Sequence, residues 1–201
     1  MKKENWVLVD TETTGLSTDD WTIEVCVQHM EGWRAIGRLK SWLIRVPKRI
    51  GSGVFKIHGI SNDHLEKHGD EPTNAHSEII DFIDCSPYGA FNLPFDSRML
   101  STDWDRVRVA KRKRPKPALC ALRLSRLFLD ESPGYRLHTL ATYFKLKTRP
   151  KHRASFDVKS TVELLDRIVR PRAEGYSFSD LVELCELPIK EAREVVQNIS
   201  D

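Results

Sequence analysis

The segment Trp6-Val7-Leu8-Val9-Asp10-Thr11-Glu12 constrains the fold more than any other stretch of the chain. A short apolar run that closes on polar residues is what a buried central strand requires. On an extended chain, residues two apart project to the same side, so Asp10 and Glu12 point together while Thr11 faces away. Two carboxylates side by side at the end of a buried strand repel each other unless positive charge lies between them. Hard divalent cations take oxygen ligands and relieve that repulsion. Thr13-Thr14-Gly15 follows as a turn, where Gly15 allows the backbone to approach a ligand closely. Taken alone, Asp-x-Glu reads more simply as a polar strand end with two solvated acids.

The rest of the chain supplies partners for such a strand. Trp21 to Met30 and Trp33 to Val46 are rich in β-branched and aromatic residues and are separated by Glu31-Gly32, as in an antiparallel hairpin. Ser61-Asn62-Asp63 suits the cap of a short helix ending near His68-Gly69, and a second helix is expected from Pro72 to Asp84. Tyr88 to Asn92 reads as a strand, with a helix from Pro94. Pro117 to Ala121 reads as a last strand feeding a helix through Leu122, Leu124, Leu127 and Phe128. Leu137 to Phe144 is helical in pattern, as is Ser155 to Val169 before Pro171 stops it. Three strands followed by alternating helices and strands predict an α/β fold, a mixed central sheet flanked by helices. Residues 171–201 are expected as a linker and a C-terminal helix pair, near Ser179–Glu186 and Pro188–Ile199, appended to a main domain of residues 1–170.

Composition narrows the class. At 201 residues with 30% charged side chains, one substantial core is affordable, and no stretch approaches the roughly 20 apolar residues of a membrane span. The apolar block after Met-Lys-Lys-Glu-Asn is too short for a secretion signal, and the four scattered cysteines, Cys26, Cys85, Cys120 and Cys185, suit reduced, mostly buried thiols. Both point to a cytoplasmic protein without a membrane partner. The net charge of +3 implies little by itself. Arg106, Arg108, Lys111, Arg112, Lys113, Arg114 and Lys116 crowd one segment that suits a phosphate backbone, and equally a solvated loop.

Two further pieces carry chemistry. Asn92-Leu93-Pro94-Phe95-Asp96 places Asp96 in a first helical turn, where the dipole favours a carboxylate whether it caps or binds. In His152-Arg153-Ala154-Ser155-Phe156-Asp157, helical geometry would hold His152 and Asp157 about 140° apart, so His152 belongs to the preceding loop, free to fold over a site that Asp157 helps build.

Together, Asp-x-Glu-Thr-Thr-Gly-Leu, Asn-x-x-Phe-Asp and His-Arg-Ala-x-x-Asp, in that order, resemble the DEDDh (DnaQ-like) 3′–5′ exonuclease superfamily, across roughly residues 5 to 170. Ile57-His58-Gly59-Ile60 resembles that family's usual His-Gly-Ile, and bacterial exonuclease X and epsilon-type proofreading domains are similar in layout. The resemblance implies an RNase H-like fold and metal-dependent hydrolysis releasing nucleoside monophosphates from the 3′ end of single-stranded or frayed DNA. Asp10, Glu12, Asp96 and Asp157 would bind two divalent cations, Mg²⁺ or Mn²⁺, with His152 as general base. Thr13, Gly15, Leu16, His58, Asn92 and Phe95 would contact substrate, with core packing the simpler role for Leu16, His58 and Phe95. Phe156 stands where the family often carries an acid, and Pro94 lies inside the second motif. RNA as substrate, or a non-catalytic nucleic-acid-binding module, are the competing readings. A homodimer, and a protein partner at the C-terminal helices, are compatible with the sequence.

Overall fold

The structure, a computed structural model, describes residues 4–200 of the chain, with side chains through 197. The first three residues, part of the segment read above for a secretion signal, lie outside the described residues, as does Asp201. Five strands form one sheet: β1 (Asn5–Thr13), β2 (Thr22–Glu31), β3 (Arg34–Leu43), β4 (Tyr88–Ala90) and β5 (Pro117–Cys120), in the order β3-β2-β1-β4-β5. β1 pairs antiparallel with β2 and parallel with β4, so the sheet is mixed, and β1 is central as its apolar run requires.

The period of two along β1 divides the molecule. Trp6 and Leu8 face one layer, where they pack with helices α5 (Ala121–Phe128), α6 (Leu137–Tyr143) and α7 (Ala154–Leu164). Val7 and Val9 face the other, against α3 (Pro72–Ile83) and α4 (Leu93–Arg106). Continuing the alternation, Asp10 and Glu12 belong to the face of α7, and Thr11 to the face of α4. Gly89 of β4 is required by packing, because a Cβ there would lie 2.7 Å from the Leu119 carbonyl oxygen.

Two short helices cover the remaining flank, α1 (Ser52–His58) and α2 (Asn62–His68). The Ser61 hydroxyl caps α2 by accepting from the His64 N–H, as expected. α1 is not legible in the sequence. Its only buried residue is His58, so no apolar stripe marks it, and it ends on Gly59 at φ +71°.

The expected stop at Pro171 is also corrected. α7 passes into a wider π-type turn, Leu165–Val169, and α8 (Arg170–Arg172) carries the helical path past the proline. A proline inside a helix needs the hydrogen bonding of the preceding turn rearranged, and the π turn provides that. Beyond it lie α9 (Phe178–Glu186) and α10 (Ile189–Ser200). Ser179 lies in the first turn of α9, and the N-cap is Ser177, because Ser177 and Asp180 satisfy one another's backbone N–H groups in a capping box. Ala173, Tyr176, Leu181, Leu184 and Ala192 are buried in the same apolar core as Trp6 and Leu8. Among the described residues, no helix is long and apolar enough to cross a membrane. Cys26 and Cys120 are buried as free thiols, but Cys85 is exposed, on a turn at φ +59°.

Candidate active site

The carboxyl ends of β1 and β4 form the floor of the site, the usual place for ligands on sheets with parallel strands. Asp10 and Glu12 emerge there on the α7 side of the sheet. Asp157 meets them from the first turn of α7, and ligand oxygens of these three residues all lie within 4.8 Å of one another. Asp96 arrives from the opposite layer. It sits in the first turn of α4, fully buried, with Pro94 in the same turn, and its Oδ1 accepts the Thr11 hydroxyl at 2.9 Å. The alternation of β1 thus holds the fourth carboxylate through Thr11.

This concentration of acid is electrostatically costly. Burial, then the charges of Asp96, Asp157, Glu12 and Glu24, hold the Asp10 carboxyl well above the usual carboxylate range. Burial first, then Asp157, Glu24 and Asp96, push Glu12 up to about 8, against partial relief from Arg153. Burial pushes Asp96 up to about 7 despite the Thr11 hydroxyl. Asp157 is raised by burial, opposed by the Lys151 N–H that it accepts at 2.9 Å and by His152 and His138. Clustered all-oxygen ligands that repel one another fit a hard divalent cation.

A fifth acid holds the site together and was not anticipated. Glu24 pairs directly across from Glu12 in the β1–β2 ladder and is 3% exposed. Its carboxylate accepts Arg153 Nε at 3.0 Å, Arg153 Nη2 at 2.9 Å and the Ala154 N–H at 3.1 Å. This two-pronged ion pair fastens the start of α7 to the sheet and so sets Asp157 against Asp10 and Glu12. The signal was present: an acid within Thr22-Ile23-Glu24-Val25-Cys26-Val27, an otherwise apolar strand, needs a buried partner.

His152 lies in the loop before α7, as expected, exposed and at φ +51°. Its ring stacks on His138, with centroids 4.6 Å apart and planes 29° from parallel. Both histidines line a cleft of about 650 Å³ together with Asp10, Asp157, Asn92, Tyr135 and Arg136.

The expected substrate contacts are distributed around this centre. Leu16 is 71% exposed, and its carbonyl accepts Arg98 Nη2 at 3.1 Å. The same guanidinium lies over the half-buried Phe95 ring, 5.4 Å from its centroid. The Thr13 hydroxyl donates to the Gly15 carbonyl at 2.6 Å. The close approach at Gly15 is made by a protein group, since a Cβ there would lie 2.5 Å from Asp20 Oδ2. Asp20 in turn accepts the Thr14 hydroxyl and the Ser17 N–H, and pairs with Lys48 at 2.8 Å. His58 is buried at 4% exposure, and its Nδ1 accepts the Ile60 N–H at 3.0 Å. The basic run is partly consumed internally. Arg106 binds Asp103 and the carbonyls of Thr18 and Asp20, and Arg114 binds Asp105 and the Val109 carbonyl.

A mixed sheet of this order, with carboxylates at the end of its first strand and on two flanking helices, is the RNase H-like fold of exonucleases. Residues 7–165 match the RNase T exonuclease family, and the chain belongs to it. A zinc-bound complex of E. coli exonuclease I with single-stranded DNA superimposes with a TM-score of 0.75 at 17% identity, covering 89% of this chain and 43% of that one. Exonuclease X in complex with 5′ overhanging duplex DNA gives 0.67 at 22% identity, covering 89% of this chain and 98% of that one. In sequence the chain is 26% identical over 182 residues to the PolC-type DNA polymerase III of Bacillus subtilis (strain 168), which spans 90% of this chain and 12% of the polymerase. It is also 26% identical over 210 residues to the 3′–5′ exonuclease DinG of the same organism, across 96% of this chain and 22% of that protein.

Proposed function

We propose that the chain is a metal-dependent 3′–5′ exonuclease that releases nucleoside monophosphates from single-stranded or frayed 3′ ends of DNA. The observation that carries this reading is the convergence of Asp10, Glu12 and Asp157 within 4.8 Å, beside buried Asp96. Asp10, Glu12 and Asp157 would hold one divalent cation, and Asp10 with Asp96 a second. When bound, such ions polarise the scissile phosphate and neutralise charge on the attacking and leaving oxygens.

The chain's own groups do the rest. His152 is exposed to the cleft on a left-handed backbone, where its imidazole can accept a proton from the attacking water. Leu16 presents an apolar surface against which a terminal base can wedge, and Phe95 offers a ring for stacking. Thr13 and Gly15 shape the backbone beneath that nucleotide, buried His58 supports it, and Asn92 faces the cleft. DNA rather than RNA is favoured because the relatives include a DNA polymerase, and exonuclease X is described with duplex DNA.

Matched single-stranded DNA and RNA oligonucleotides, labelled at the 5′ end, test the reading with Mg²⁺ or Mn²⁺, with EDTA, and with Asp10→Ala. The expected result is a ladder shrinking from the 3′ end of DNA, abolished by EDTA and by the substitution. A faster RNA ladder would reassign the substrate, and intact strands of both kinds would leave only a binding module.

A further inference from the structure

The cleft lined by Asp10 and Asp157 also contains two arginines without a role in the chemistry above. Arg126, on α5, and Arg136, the N-cap residue of α6, both line it, and both are exposed. Among the described residues neither guanidinium forms an ion pair with a carboxylate. Arg106 and Arg114, by contrast, are paired with Asp103 and Asp105. The apolar wall of the cleft, Phe91, Leu122 and the ring of Tyr135, lies alongside. The Tyr135 hydroxyl is tied to the Leu129 carbonyl at 3.1 Å, which fixes the ring in place.

Resting on the exonuclease reading, we propose that Arg126 and Arg136 bind phosphodiester groups of the strand on the 5′ side of the scissile bond. Charge arithmetic sets the direction. The 3′-terminal nucleotide carries one phosphate, the scissile one, which ions held by Asp10, Glu12, Asp96 and Asp157 would take. Any further phosphate in the cleft belongs to the strand that stays behind. Guanidinium groups suit such groups, because their planar fork donates to two oxygens at once. Apolar and aromatic walls beside them accept unpaired bases in a sequence-tolerant way. The cleft is therefore the track that holds the upstream strand while its end is cut.

The test combines binding with two substrates. A 5′-fluorescein-labelled oligothymidylate is titrated by anisotropy with Ca²⁺ in place of Mg²⁺, using wild type, Arg126→Gln, Arg136→Gln and the double variant. Both side chains are exposed, so folding should be retained, and circular dichroism verifies it. Each substitution is expected to weaken binding about tenfold. Each should also flatten the slope of log K against log salt by roughly 0.7, one single-strand phosphate contact. Turnover of thymidine 5′-(p-nitrophenyl phosphate) in Mg²⁺, where p-nitrophenolate replaces the upstream strand, should be unchanged.

Binding and salt slope unaltered by both substitutions would overturn the proposal. So would equal losses on the oligonucleotide and the nitrophenyl ester, because the arginines would then serve the chemistry itself. If wild type cut neither substrate, the exonuclease reading would fail, while the anisotropy result would still decide whether the arginines bind the strand.

Discussion

At the scale of single residues, the proposed chemistry rests on His152, and the geometry on the ion pair between buried Glu24 and part-exposed Arg153. Replacing His152 with Ala removes the proposed base and should lower kcat by about 10²–10⁴, with little change in KM. Steady-state kinetics on a short oligonucleotide measure both terms. Equal kcat for wild type and variant would remove His152 from the chemistry. Glu24→Gln keeps the shape but removes the charge that faces Arg153, leaving a cation beside the site without its partner. Breaking a buried pair from one side costs about 3–5 kcal/mol, less here because Arg153 is part-exposed. Thermal unfolding should show that loss, and Mg²⁺ affinity should fall as α7 loosens. A variant with wild-type melting and metal affinity would show that Arg153 holds α7 without its carboxylate partner. The shared direction of Asp10 and Glu12 was legible from their spacing on one strand, whereas Asp96 and Asp157 joined them only through the resemblance carried by the three motifs together. The apolar neighbours of Glu24 signal that it needs a buried partner, but its place opposite Glu12 depends on strand register, which a hairpin pattern does not supply.

At the scale of elements, most of the order was legible and the exceptions have local causes. β1, the hairpin β2–β3, and α2, α3 and α4 follow from apolar period, capping serine and early proline. α1 escaped because a helix that buries only His58 leaves no stripe, and its ending rests on the backbone freedom of Gly59. The path through Pro171 escaped because a π turn is set by how the helix end packs, with Leu165 and Val169 both buried, and not by any residue type. The capping box at Ser177 yields a direct prediction. Ser177→Ala should destabilise by about 1 kcal/mol, equivalent to about 2–4 °C in melting temperature for a chain of this length. Ser179→Ala should be nearly neutral. Differential scanning calorimetry of both variants checks the assignment, and a larger loss at Ser179 would reverse it. Because α9 buries Leu181 and Leu184 in the common core, the Ser177 change should lower one cooperative transition rather than create a second.

At the scale of the whole molecule, the acidic cluster links stability to pH and to metal. Glu12 and Asp96 are raised to about 8 and about 7, and Asp10 and Asp157 are raised too. Their ordinary values lie near pKa 4. The native state therefore binds more protons than the unfolded chain between about pH 4 and 8, and the metal-free protein loses stability as pH rises through that window. Below it, both states are protonated and the effect vanishes. Mg²⁺ should restore the loss, so the increase in melting temperature on adding Mg²⁺ is expected to be larger at pH 8 than at pH 5. Asp10→Asn should melt above wild type in EDTA at pH 8 and no longer respond to Mg²⁺, a site in which function is held at the expense of stability. A metal response independent of pH, or an Asp10→Asn protein less stable than wild type in EDTA, would contradict this.

Under the proposed function, these four carboxylates serve the removal of nucleotides from the 3′ end of DNA. The most direct measurement follows one oligodeoxynucleotide carrying distinct labels on its 3′-terminal and 5′-terminal nucleotides, in Mg²⁺ and at early times. The 3′ label is expected to appear first, as a nucleoside 5′-monophosphate, while the 5′ label stays in the shortened strand, and Asp157→Asn should abolish the release. Release of the 5′ label first, or of internal fragments carrying both ends' neighbours, would contradict it.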